Sequence, residues 1–99
     1  MIEHIVLFKL KASASPGQKA AMLEALLSLK DRIPGLVQTS AGVNFSDRAD
    51  GYTHGFVARF KDRAALEAYL PHPAHLAVVE TQVNPLKEAV LAVDYEILP

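Results

Sequence analysis

Ile2-Glu3-His4-Ile5-Val6-Leu7-Phe8-Lys9-Leu10-Lys11 is the stretch whose reading decides the fold. Extended, it sends Ile2, His4, Val6, Phe8 and Leu10 to one face and Glu3, Ile5, Leu7 and Lys9 to the other, because successive side chains of a strand point to opposite sides. Large apolar residues stand on both faces, so both need cover. That requirement places the strand inside a sheet with helices on one side and a second apolar surface on the other.

Working outward, Ser15-Pro16-Gly17-Gln18 reads as a helix start. Ser15 is the N-cap, Pro16 suits the first helical position, and Gln18 completes a capping box. Met22, Leu26, Leu29 and Ile33 follow at helical spacing, and Pro34-Gly35 ends the run. Leu36 to Phe45 reads as a second strand with Val37, Thr39, Ala41, Val43 and Phe45 on one face. Ser46 to Gly51 is a polar loop ending in a turn signal. Tyr52 to Phe60 is a third strand, with Tyr52, His54, Phe56, Ala58 and Phe60 on one face. Asp62 caps a short helix that Pro71 ends. Pro73 starts another, on which Leu76, Val79 and Val83 form a stripe. Ala89 to Leu98 is the last strand, with Ala89, Leu91, Val93, Tyr95 and Ile97 on one face.

The order β-α-β-β-α-β, its second helix broken, predicts an α+β ferredoxin-like fold with a four-stranded antiparallel sheet and the first and third strands in the middle. Helices cover one face of such a sheet. Ile5, Leu7 and Val57 fall on the other, and an uncovered apolar sheet face predicts an interaction surface. The expected partner is a second copy, the two sheets packed face to face.

Ninety-nine residues predict one domain, 1–99. A 51% apolar fraction with 21% charged residues indicates a packed chain rather than a disordered one. Net charge is −1 and no basic run exists, so no nucleic-acid partner is expected. The absence of cysteine excludes disulfides, thiolate metal sites and Cys nucleophiles. The longest apolar run, Ala89 to Val93, is too short to span a bilayer, and Met1-Ile2-Glu3-His4 does not read as a secretory leader. The expectation is a cytoplasmic protein without a membrane partner.

Titratable chemistry concentrates in Tyr69-Leu70-Pro71-His72-Pro73-Ala74-His75. With His4 and His54 on one sheet face, Tyr69 and three histidines are expected to converge under the helices. Val6, Phe8, Met22, Leu26, Phe56 and Leu76 would form the walls, an apolar pocket for a flat small molecule. Such a group does acid–base chemistry. A neutral imidazole takes a proton from carbon beside a carbonyl, and a phenol donates to the developing oxyanion. The plain reading of each is structural: His4 and His54 as core histidines, His72 as a helix cap, His75 as a brace for the helical junction. His72 and His75 stand three apart, but no third ligand is spaced for a transition metal. Asp47 and Asp50 leave only a weak oxygen-ligand contact open. No cofactor-binding motif is present, neither a Gly-rich phosphate loop nor a nucleophile elbow.

The opening His4-Ile5-Val6-Leu7-Phe8-Lys9, the segment Gly51-Tyr52-Thr53-His54 with Phe60 closing its strand, the Tyr69-x-x-His72-Pro73-x-His75 junction and Val93-Asp94-Tyr95 together resemble the stress-responsive dimeric A/B barrel (Dabb) family. The resemblance covers essentially the whole chain. It implies a dimeric α/β barrel made of two ferredoxin-like subunits. A plant polyketide cyclase of the family performs an aldol cyclisation with a Tyr–His pair, without a cofactor. Its tyrosine matches Tyr69, its histidine matches His75, and His4 and His54 match further pocket positions. The first helix departs from the cyclase, offering Met22, Ala25, Leu26 and Leu29 where that pocket is aromatic-rich. Other relatives are stress-induced proteins without an assigned reaction. The competing expectation is therefore a non-catalytic protein acting through its dimer. A cofactor-free oxygenase follows from shared architecture alone.

Overall fold

The computed structural model describes residues 1–99. Strand β1 (Ile2–Leu10) lies inside a four-stranded sheet of order β2-β3-β1-β4, where β2 is Leu36–Val43, β3 is His54–Phe60 and β4 is Lys87–Glu96. All three pairings are antiparallel. The ferredoxin-like expectation and the two middle strands are both met. Helices α1 (Pro16–Ser28), α2 (Arg63–Tyr69) and α3 (Pro73–Val78) pack on one face.

Local chemistry sets the helix ends. The Ser15 hydroxyl accepts from the Gln18 N–H at 3.1 Å, and the Gln18 side chain accepts from the Ser15 N–H at 2.8 Å. This reciprocal pair satisfies two donors that a helix start leaves free. Asp62 caps α2 through the Ala65 N–H at 2.8 Å. Gly35 turns the chain into β2 with φ at 81°. A Cβ there would lie 2.6 Å from that of Ala65, so only glycine fits.

Met22, Leu26, Leu29 and Ile33 are buried as the stripe predicted, although α1 ends at Ser28 and Leu29 belongs to a following 3₁₀ turn. With Phe56, Phe60 and Tyr69 they fill the space between helices and sheet. Full burial of a side chain of this size contributes about 1.5–3 kcal/mol.

Three expectations need correction. In β2 the register slips between Leu36 and Gln38, a bulge that puts Leu36 where Val37 was expected, while Thr39, Ala41 and Val43 keep one face across from Ala58, Phe56 and His54. Leu36 is buried, while Val37, Val43 and Phe45 are exposed. Helix α3 buries Ala74 and Val78, and Leu76 points outward at 50% exposure. The chain then widens into a π-helical turn, Val79–Val83, which buries Val83. Finally, β3 begins at His54 and β4 spans Lys87–Glu96, so both outer boundaries shift by two residues.

The opposite face of the sheet has no helix. There Ile5, Leu7 and Val57 are half-buried, and Leu91, Val93 and Tyr95 on β4 are 47%, 48% and 47% exposed. Arg59 grips Glu3 across this face with two hydrogen bonds of 3.2 and 2.9 Å. No helix is long and apolar enough to cross a membrane.

Candidate active site

The helices cover β3 and β1 closely and leave β4 open, with Val90 at 42% exposure. Between β4 and the α2–α3 junction lies a cavity of about 210 Å³. His4, Val6, Phe8 and Phe56 form its floor, Leu26, Tyr69 and Leu70 a wall, and His75, Val79 and Val83 the remainder under the helices. Val90 and Ala92 close it along β4.

Tyr69, His75 and His4 meet here. The Tyr69 and His75 rings are 4.1 Å apart between centroids, tilted by 37°. Tyr69 meets Phe60 at 4.9 Å and the edge of His4 at 5.9 Å. Only 1% of Tyr69 is exposed. Its hydroxyl has no protein partner, yet no fully buried side-chain polar atom in the structure goes unpaired. The hydroxyl is therefore the part of Tyr69 that opens to the cavity. Burial pushes the phenol well above its ordinary value, so it stays protonated and can donate.

His75 is held by the break between the helices. Its Nδ1 lies 2.9 Å from the Leu70 carbonyl oxygen. A carbonyl only accepts, so Nδ1 carries the proton and Nε2 keeps its lone pair. Desolvation lowers the His75 pKa most, opposed by the bond to Leu70 and aided by His4 and His72. The ring is thus a neutral base with a fixed tautomer. Pro71 ends α2, His72 accepts from the Ala74 N–H at 3.0 Å, and Pro73 begins α3, so His72 is the cap of the joint.

His4 is fixed in the same manner. It is 5% exposed, and β1 pairs with β4 so that His4 stands across from Asp94. The His4 Nδ1 hydrogen-bonds the Asp94 carboxylate. The sequence alone does not single out Asp94 as a site residue. Its signal is the matching distance of His4 and Asp94 from the facing ends of two antiparallel strands, which is visible only once the register is known.

His54, expected in the same group, is elsewhere. It shares the sheet face of His4 but pairs with Phe8, four residues along β1, roughly 13 Å away at the strand rise. Its Nδ1 lies 2.7 Å from the Thr53 hydroxyl, and it lines a separate cleft with Val43, Asn44 and Tyr52. Met22 is fully buried but does not reach the cavity, and Leu76 points away from it. Leu70, Val79, Val83, Val90 and Ala92 take the places those walls were expected to fill.

The Stress Responsive A/B Barrel Domain, Dabb, matches residues 2–97 of this sequence. The chain belongs to the Dabb family. A Dabb relative, a stress-response A/B barrel domain-containing protein of Arabidopsis thaliana, is 32% identical over 96% of the chain, which spans 36% of that relative's length. Olivetolic acid cyclase of Cannabis sativa is 26% identical, the match covering 76% of each protein. Among solved structures, a dimeric ferredoxin-like protein of unknown function from Thermobifida fusca superimposes with a TM-score of 0.84 at 28% identity. That match covers 97% of this chain and 90% of the other. The Dabb match thus agrees with the topology found here.

Proposed function

We propose that this protein is a homodimeric Dabb enzyme that binds a small apolar or aromatic carbonyl compound in each cavity and cyclises it by acid–base chemistry. The carrying observation is the Tyr69–His75 stack, with one ring nitrogen of His75 anchored to Leu70 and the other free beside an apolar cavity. The identity shared with olivetolic acid cyclase supports the same reading.

In this reaction His75 Nε2 removes a proton from carbon between two carbonyls. The enolate oxygen accepts a hydrogen bond from the Tyr69 hydroxyl. The enolate carbon attacks a second carbonyl of the same chain, forming the ring bond, and the new alkoxide takes the proton back from His75. His4, held by Asp94, orients the substrate with its remaining ring nitrogen. Phe8, Phe56 and Val90 exclude water around it.

Dimerisation follows the open sheet face. Leu91, Val93 and Tyr95 with Ile5, Leu7 and Val57 form a self-complementary apolar surface, and the Thermobifida relative is described as dimeric. A Val93→Asp change should yield a monomer in analytical ultracentrifugation.

Turnover of a linear poly-β-keto acid tests the chemistry. His75→Ala and Tyr69→Phe should each lower kcat by about 10²-fold or more, the usual share of general acid–base catalysis. Undiminished turnover in both variants would refute the assignment. A second reading is a non-catalytic stress protein acting through its dimer. The Leu70–His75 bond favours it, since that bond also braces the junction; the open cavity argues against it.

A further inference from the structure

The two ends of the cavity differ in chemistry. At one end stand His4, Tyr69 and His75. At the other stands Lys87, the first residue of β4, across from Leu10 and beside Asn84. His4 and Leu10 are six residues apart on β1, roughly 20 Å at the strand rise. Val6, Phe8, Val90 and Ala92 line the space between.

Lys87 reaches this space because of an irregularity. Lys9 pairs with Ala89, but Leu10 pairs with Lys87, so Glu88 is the extra residue of a β-bulge. Simple alternation from Val90 would send residue 87 to the open sheet face. The bulge turns it to the cavity side, a use of bulges that recurs beside functional sites. Lys87 is the only cation lining the cavity and takes part in none of the three ion pairs of the structure. Lys11 stands at the same end, its N–H donating to the Leu86 carbonyl at 2.7 Å. At the far end Glu67, Asp94 and Glu96 line an outer groove with Arg63.

We infer that the cavity takes a carboxylate-bearing ligand: a medium-length apolar chain or arene whose anionic end is held by Lys87 and Asn84 and whose other end lies against His4, Tyr69 and His75. This rests on the ligand-binding reading above and adds the ligand's charge and direction. The size agrees. At about 30 Å³ per water-sized atom the cavity of about 210 Å³ holds roughly seven non-hydrogen atoms, and about ten at the tighter packing of protein interiors. The flexible lysine stem spans roughly 6 Å of the remaining length.

Calorimetry with octanoate and 1-octanol at pH 8 and low salt tests it. Octanoate should bind the wild-type protein about tenfold more tightly, a ratio typical of one charge-assisted hydrogen bond near a surface. Lys87→Met should equalise the two, Lys87→Arg should keep the preference, and Lys87→Glu should reverse it. Lys30→Met, at an exposed lysine outside the cavity, should leave it unchanged. Equal binding by the wild type, or a preference that survives Lys87→Glu, overturns the assignment of Lys87 while the cavity reading stands. Binding of neither compound overturns both.

Discussion

His4 and His54 are the two buried polar residues of the chain, each 5% exposed and on the same face of the same sheet. Their circumstances differ. His4 is bonded to a carboxylate, which only accepts, so its Nδ1 must donate and its other nitrogen is left over. His54 is bonded to the Thr53 hydroxyl, which can donate or accept, so the partner's chemistry alone does not impose a tautomer. His4 touches the Tyr69 edge and the cavity; His54 opens to a different cleft. His75, with its backbone carbonyl partner, behaves like His4. Burial therefore does not distinguish the two histidines. Their partners do, because an acceptor-only partner fixes which ring nitrogen is left toward the cavity.

The sharpest way to break that contrast is to remove the ring that joins His4 to His75. Tyr69→Ala deletes a fully enclosed aromatic packed on Phe60, and chemical denaturation should show a loss of about 3–5 kcal/mol. Tyr69→Phe keeps the ring and should cost under about 1.5 kcal/mol, since the hydroxyl has no protein partner to lose. A large loss in the Phe variant would mean the hydroxyl is structural.

Asp94→Ala comes next. It strands the His4 Nδ1–H, and an unsatisfied buried donor costs about 1–3 kcal/mol. Because the Asp94 side chain is 43% exposed, water can replace it and the lower end is expected. Turnover should fall more than stability does, and substrate affinity should fall with it. Asp94→Asn, which keeps an acceptor oxygen, should restore much of the stability.

Much of this contrast is legible without coordinates, and the part that is not has one cause. The alternation in Ile2 to Leu10 correctly puts His4 with Val6 and Phe8. The Tyr69 to His75 joint is readable because prolines and a cap residue act locally. Where reading fails, the information comes from another strand or from a break. Register separates His54 from His4 and brings Asp94 to it. Bulges put Leu36 in the place expected of Val37 on β2 and redirect Lys87. The wide turn at Val79–Val83 moves Leu76 out of the wall that the simple helical stripe assigns it. A period of two or of 3.6 is a property of unbroken elements, and it says nothing of which residue an element faces on its neighbour.

Acidity acts on both kinds of histidine, more weakly. Burial lowers the pKa of His75 and of His54, the latter with help from Lys19. Each folded pKa lies below the unfolded value of about 6.5, so the unfolded chain binds more protons in the window between them. Stability is full above about pH 6.5 and declines as pH falls through the folded pKa values. Melting temperatures between about pH 8 and 5 should show this decline, and His75→Gln and His54→Gln should each flatten it. Activity should respond to His75 alone, with the acid limb of kcat/KM lying below about pH 6.5. An acid limb that moves in the His54 variant would contradict the division drawn here.

The smallest effect belongs to Thr53→Val. The hydroxyl lies 2.7 Å from the His54 ring and 3.4 Å from the Phe8 carbonyl, which already accepts the Thr53 N–H at 2.8 Å. Losing it removes the hydroxyl's contacts to the His54 ring and the Phe8 carbonyl while leaving the strand ladder whole. The expected cost is about 0.5–1.5 kcal/mol. Since His54 lies on β3 and does not line the cavity, which opens along β4, ligand affinity and kcat should stay within about twofold of the wild type. Octanoate calorimetry and turnover on the same preparation check this. Unchanged values beside a measurable loss of stability would separate His54 from the working rings by experiment. A parallel drop in both would mean that the two ends of the sheet face act together, and that partner chemistry does not divide the histidines.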